Sequence, residues 1–159
     1  MKEEPLLLLS DLQKLINQVV LIDYTIIILG GNVMLKIQRM RYGAASAQMY
    51  KIGLFRKEET GLIQIRHDMG NTYRIQQFMT ITTQRRKGIG RKLLKAMVKE
   101  IRRNGGTTII VYPCPESYSN EDMVAIEELY AIYKKMGFAF VDENADISKC
   151  NQKMYMTIS

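Results

Sequence analysis

QRRKGIGRKLL, Gln84 to Leu94, places Arg85, Arg86, Lys87, Arg91 and Lys92 around two glycines, Gly88 and Gly90. Upstream, TYRIQQFMTI (72–81) is rich in β-branched and aromatic residues and reads as a strand. Downstream, Leu93, Leu94, Met97, Val98 and Ile101 recur at helical spacing, while Arg91, Lys92, Lys95, Lys99, Arg102 and Arg103 take the other face. A strand that feeds straight into a helix leaves the first helical N–H groups without partners, backed by the positive end of the helix dipole. Glycines there remove side chains where an anion would approach the backbone, which makes an anion nest with an arginine rim. Taken alone, the stretch reads more readily as a basic turn whose glycines only relieve strain.

The charge around it is local. Between Arg85 and Arg103 nine basic residues face one acid, Glu100, a net +8 in a chain whose formal charge is +7, so the other 140 residues sum to −1. A field aimed by one turn and one helix suits a compact anionic ligand at least as well as a long polyanion. With 159 residues, 47% of them hydrophobic, the expectation is a single domain, 1–159. VVLIDYTIIIL (19–29) is 11 residues long and contains Asp23, too short for a membrane span of roughly 20 residues, and the opening MKEEP lacks the basic start of a signal peptide. Cys114 and Cys150 stand far apart with no His or third Cys at ligand spacing, so neither a disulfide framework nor a metal site is expected, and a reducing, cytoplasmic setting fits.

Along the chain, a short helix is expected at Ser10–Gln18, capped by Ser10 or Asp11. VVLIDYTIIIL, VMLKIQRM (33–40), YKIGLFRK (50–57), GLIQIRH (61–67) and TYRIQQFMTI then read as a strand meander, with GGN (30–32), EETG (58–61) and GN (70–71) as turns. After the basic helix, NGG (104–106) is a stop, TTIIVYP (107–113) a buried strand, and roughly Asp122–Met136 a second helix with Ile126, Leu129, Tyr130 and Tyr133 inward and Gly137 as its cap. FAFV (138–141) and KMYMTIS (153–159) close the chain as strands. The order implies an α+β fold: a mixed, mostly antiparallel central sheet of about six or seven strands with helices on both faces.

Two familiar phosphate loops are excluded. Gly90 is followed by Arg91 and Lys92, where a Walker loop needs Lys and then Ser or Thr, and Leu93 stands where the dinucleotide fingerprint needs Gly or Ala. What the residues do resemble is the R/Q-x-x-G-x-G/A motif of the GNAT family of N-acetyltransferases, matched by Arg85, Gly88 and Gly90. About 40 residues later IYKKMGF is similar to that family's L-Y-x-x-x-G-F, with Tyr133, Gly137 and Phe138 in register. The resemblance makes 48–159 an acetyl-CoA-binding core and leaves 1–47 poorly matched. Its implications can be placed residue by residue. Backbone groups of Phe78, Met79 and Thr80 would pair with the pantetheine arm where two central strands splay apart. The turn Arg85, Arg86, Lys87, Gly88, Ile89, Gly90 and Arg91 would hold the pyrophosphate, and Tyr133 would protonate the departing thiolate. The reaction would be direct attack of a primary amine on acetyl-CoA, the amine belonging to a protein lysine, a protein N-terminus or a small molecule.

The chain also departs from that pattern. Gln76 and Gln77 before the motif, and Tyr112 with Pro113 after it, replace the carboxylates that commonly act as general base, leaving a water chain or His67, Asp68, Glu116 or Glu127. Tyr130, three residues from Tyr133, competes for the acid role. The loop YPCPESYSNED carries Glu116, Glu121 and Asp122, which suit a cationic acceptor, although Ser119 or Asn120 read more simply as caps of the second helix. The T-T-x-R…G-I-G turn, the later Tyr-Pro and the following E-D are similar to short phage-type acetyltransferases, a resemblance that implies a protein lysine as one acceptor among those open. The alternatives are a catalytically silent acyl-CoA-binding protein of the same fold, or a nucleic-acid-binding (tRNA-type) module using the Arg91–Arg103 helix, where the absence of aromatic residues from 84 to 106 disfavours base stacking. Residues 1–47 have three open roles: completing the sheet, covering the acceptor groove, or forming a homodimer contact.

Overall fold

The structure is a computed structural model that describes residues 24–29, 32–54, 56–116 and 123–159. The expected helix at Ser10–Gln18 and the leading half of VVLIDYTIIIL lie outside the described residues. Eight strands, β1 (Tyr24–Leu29), β2 (Val33–Arg41), β3 (Ala44–Ile52), β4 (Lys57–Met69), β5 (Thr72–Thr80), β6 (Thr108–Val111), β7 (Ala139–Phe140) and β8 (Met154–Thr157), form one sheet in the order β1-β2-β3-β4-β5-β6-β8-β7. The first five are the expected antiparallel meander. Among the described residues only β5 and β6 run parallel, joined by helix α1 (Ile89–Arg103), and a second helix, α2 (Ile126–Lys135), precedes β7. The fold class is the one expected, α+β with a mixed, mostly antiparallel sheet flanked by helices, with eight strands in place of six or seven. No helix among the described residues is long and apolar enough to cross a membrane.

The strand that lies elsewhere than expected is β3, at Ala44–Ile52 and not at 50–57. Its AASAQM half has low β propensity, and its reason lies across the sheet: Ala45 and Ala47 pair with Ile65 and Ile63 and are buried beneath α1. Small side chains are what let a helix come that close. YKIGLFRK is therefore not one strand. It runs from the end of β3 through a turn, in which the Gly53 N–H donates to the Arg56 carbonyl at 2.8 Å, into the start of β4. Nor is EETG a turn. Gly61 sits inside β4 opposite Thr80, at a point where an added Cβ would lie 2.8 Å from Ile89 and 2.9 Å from Leu93. The glycine marks close approach of a helix, not a reversal of the chain.

The stripe read from the sequence is the buried face of α1: Leu93, Leu94, Met97 and Ile101 are buried, Val98 is half-buried, and Lys92, Lys95, Lys99, Arg102 and Arg103 are exposed. Asn104 caps the helix and Gly105 follows at φ 77°, the left-handed conformation that NGG implies. Glu100, the lone acid of the basic run, is 4% exposed. Its Oε1 accepts from the Met40 N–H at 2.8 Å and its Oε2 from Arg103 Nη1 at 2.9 Å, tying α1 to β2.

Helix α2 begins at Ile126, four residues later than expected. Its N-cap is Ala125 with no side-chain cap bond, while Ser119 and Asn120, the expected caps, lie outside the described residues. Glu127 and Glu128 in the first turn complement the helix dipole instead.

Candidate functional site

The pairing of β5 with β6 stops early. Only Thr72, Tyr73 and Arg74 pair with Thr108, Ile109 and Ile110, while β5 continues to Thr80 against β4 alone. Two sequence features separate the strands. Past Val111 the chain reads Tyr112-Pro113-Cys114-Pro115, and proline offers no N–H to prolong a ladder. On β5, Ile75 opposes Ile65 but Gln77 opposes Gln64, so Gln76 is the extra residue of a β-bulge, a device that bends a strand.

Which backbone groups face the gap follows from alternation. The Ile81 N–H donates to the Thr60 carbonyl at 3.1 Å, so residues 81 and 79 turn toward β4, and 78 and 80 present their N–H and C=O groups to the other edge. Arg85 Nε donates to the Thr80 carbonyl at 3.3 Å, which holds the arginine of the motif against this edge.

The end of β5 runs through a short 3-10 turn, Thr82–Gln84, into α1. Arg86 takes φ 63° and Gly88 φ 76°; these left-handed residues fold the turn back so that Gly88 becomes the N-cap. No side chain caps the helix and no acid lies in its first turn, so the positive pole is left uncompensated by the turn itself. A Cβ at Gly88 would meet nothing within 4 Å, which leaves open space in front of the amides.

Phe78 joins the parts. A Cβ at Gly90 would come 3.5 Å from its ring, and the Tyr133 ring meets it edge-on at 6.2 Å. Tyr133 is 6% exposed and also packs against Phe138 at 5.4 Å. The strand edge, the turn and Tyr133 thus converge on one place. Tyr130 does not share it: its hydroxyl donates to the Lys149 carbonyl at 2.5 Å and accepts from the Gln152 N–H at 3.0 Å, and burial pushes its pKa above the ordinary phenol value. That ring is a clamp on the segment before β8, which removes it from competition for the acid role.

Beside the turn, α1 and the end of α2 enclose a cleft of about 400 Å³, with Arg91, Lys95 and Lys135 at its rim and Leu94, Val98, Met136 and Met156 as its floor. It offers cations above an apolar base. Of the residues considered as general base, His67 and Asp68 are far from Phe78. His67 opposes Tyr73, five residues along β5, which at about 3.3 Å per residue is about 16 Å away. Its Nε2 is bonded to the Gly70 carbonyl at 2.6 Å, and Asp68 pairs with Arg74 at 2.7 Å. Glu116 and Glu127 are exposed. Among the described residues, no group of three or more His, Cys, Asp or Glu could hold a metal ion.

A splayed strand pair, an uncapped glycine turn opening a helix, and a tyrosine from the next helix form a recognisable set, and the sequence model of the acetyltransferase (GNAT) family matches residues 52–138, more than half of the chain. The chain belongs to the GNAT family. Membership brings the class of chemistry, acetyl-CoA-dependent acyl transfer, and does not name an acceptor. Solved structures share the fold at low identity. An aminoglycoside 6'-N-acetyltransferase complexed with coenzyme A is 20% identical over 74% of this chain and 74% of its own, with a TM-score of 0.56. Ard1 from Thermoplasma volcanium is 19% identical over 72% and 70%, TM-score 0.53. PaiA N-acetyltransferase from Thermoplasma acidophilum, in complex with coenzyme A, is 16% identical over 72% and 61%, TM-score 0.51. No curated protein sequence matches the chain.

Two features of the site had no signal in the sequence. The bulge at Gln76 is invisible without register, and Cys114 and Cys150, separated by 36 positions, are brought near one another where the Asn151 N–H bonds the Pro113 carbonyl.

Proposed function

We propose that this GNAT-family chain moves an acetyl group from acetyl-CoA to a primary amine by direct attack, on a protein lysine, a protein N-terminus or a small molecule. The observation that carries the reading is the stretch of β5 at Phe78 and Thr80 that β6 leaves unpaired, set beside the uncapped start of α1 and in contact with Tyr133 through Phe78. The donor set fits the coenzyme. An amide-bearing pantetheine arm matches an unpaired strand edge, and a pyrophosphate matches the amides from Arg86 to Arg91 at a positive helix pole. Arg91, Lys95 and Lys135 around an apolar floor suit the remaining phosphate and the ring beside it.

Bound there, acetyl-CoA supplies the activated acyl carbon. The protein's part is positioning, which by itself lowers a barrier strongly when two reactants are held in line. Tyr133 Oη serves as the acid that gives its proton to the departing sulfur. The gap beyond Pro113 admits the amine. Glu116, exposed just past Pro115, suits a cationic acceptor.

Titration calorimetry with acetyl-CoA tests the reading. Saturable binding is expected, and Gly90→Glu abolishes it, since that side chain starts 3.4 Å from Met136 and 3.5 Å from Phe78 and brings a negative charge to the turn. Absence of heat with the unmodified chain overturns it. Thiol release with a panel of amines and lysine peptides then identifies the acceptor, and binding without release under every amine would mark a catalytically silent coenzyme-binding protein.

A further inference from the structure

Cys114 and Cys150 are free thiols that the fold holds together. Cys114 follows β6 and Cys150 lies in the turn before β8, and the main chain is stitched between them: the Asn151 N–H donates to the Pro113 carbonyl at 2.8 Å. The residue after one cysteine is therefore bonded to the residue before the other. From the far side, the buried Tyr130 hydroxyl grips both the Lys149 carbonyl, at 2.5 Å, and the Gln152 N–H, at 3.0 Å. Asn151 turns the chain between these anchors at φ 62°. Cys150 is thus fixed on both sides, and the Asn151–Pro113 bond sets it beside Cys114. The Cys150 side chain, then burial, holds the Cys114 thiol above its ordinary pKa. Cys150 is exposed and Cys114 half-buried.

We propose that Cys114 and Cys150 are a reversible dithiol–disulfide pair, a redox modification site that closes a covalent ring around residues 114–150, including α2 and Tyr133. The oxidant is a small-molecule disulfide. The exposed Cys150, as thiolate, attacks one of its sulfurs, forming a mixed disulfide and expelling one thiolate. Cys114, giving up its proton, attacks Sγ of Cys150 and expels the second. The protein loses two electrons and two protons, and the oxidant becomes two thiols. Separation of 36 positions in sequence, with proximity in space, is an arrangement in which a cross-link restricts the unfolded chain. Neighbouring thiols with different exposure also assign the order of attack. The proposal is independent of coenzyme binding.

The test is treatment of the reduced full chain with oxidised glutathione, read by intact mass, peptide mapping and thermal melting. The expected product is two hydrogens lighter, carries a Cys114–Cys150 cross-linked peptide, melts about 5–10 °C higher, and returns to the starting mass and melting point with dithiothreitol. Cys114→Ser is expected to stop at one glutathione on Cys150. Glutathione on both cysteines of the unmodified chain, a disulfide between two copies, or two thiols that remain free each overturns the proposal.

Discussion

The Tyr130 hydroxyl donates to the Lys149 carbonyl at 2.5 Å, whereas Tyr133, three residues on, turns its ring to Phe78 at the splayed strands. One helix face thus carries two buried tyrosines with separable roles. Tyr130→Phe leaves the Lys149 carbonyl and the Gln152 N–H without their partner and is expected to cost about 1–3 kcal/mol of stability, with turnover per folded molecule unchanged. Tyr133→Phe is expected to lower kcat by about 10²-fold while the coenzyme Kd stays the same. Urea melts and paired kinetics distinguish the two; equal effects of both variants on kcat would remove the assignment of the acid to Tyr133.

Gly61 allows α1 to sit on β4. Gly61→Ala puts a methyl group 2.8 Å from Ile89, 2.9 Å from Leu93 and 3.1 Å from the Met79 carbonyl, contacts that force either the helix or the strand to move. The expected loss is about 1–3 kcal/mol, a drop in melting temperature of about 4–10 °C. Because Ile89 opens α1, the displacement reaches the glycine turn, so coenzyme affinity should fall alongside stability. A variant that melts lower but binds the coenzyme as before would show that the turn is positioned by something other than this contact.

What the sequence discloses and what it conceals follow from the range of the forces involved. The amphipathic period of α1, its NGG stop and the glycine turn are local, and each is found where the residues imply. Ala45, Ala47 and Gly61 owe their size to a helix some 30 to 45 positions away, and read locally they resemble a loop or a turn. The start of α2 was obscured by polar residues that look like caps, while the helix relies on Glu127 and Glu128 beyond an uncapped Ala125. Pro113 announces that β6 must stop, but the bulge at Gln76, which completes the gap, depends on pairing with Gln64 and Ile65. The thiol pair is likewise a product of topology.

Glu100 is the single acid in the basic run and the one residue of its solvent-excluded face that is charged. Its carboxylate satisfies the Met40 N–H at 2.8 Å and Arg103 at 2.9 Å. Glu100→Gln retains the shape but must turn an NH2 toward one of its donors, so a loss of about 1–3 kcal/mol is expected; Glu100→Ala, which also opens a cavity, should cost more. Chemical denaturation of both variants checks the order. A Gln variant as stable as the parent would show that the pair of hydrogen bonds contributes no net stability.

The basic face of α1 poses a sharper question, because a phosphate-bearing coenzyme and a long polyanion would both be drawn to it. Lys99 lies ten residues beyond Ile89, about 15 Å along the helix, and Arg102 further still. At physiological salt the Debye length is about 8 Å, so charges that distant contribute little to a ligand seated at the helix start. Lys99→Gln with Arg102→Gln, which lowers the formal charge from +7 to +5, is therefore expected to change acetyl-CoA affinity less than twofold. Arg91→Gln, removing a cation from the rim of the cleft and its 3.5 Å bond to the Lys135 carbonyl, should weaken it several-fold. A polyanion lying along the helix would respond in the opposite way: each lost contact lowers the slope of log K against log salt by about 0.7 to 0.9, and the double variant would then be the more damaged of the two. Measuring tRNA and acetyl-CoA binding for both variants across 50 to about 200 mM salt decides which ligand the helix serves.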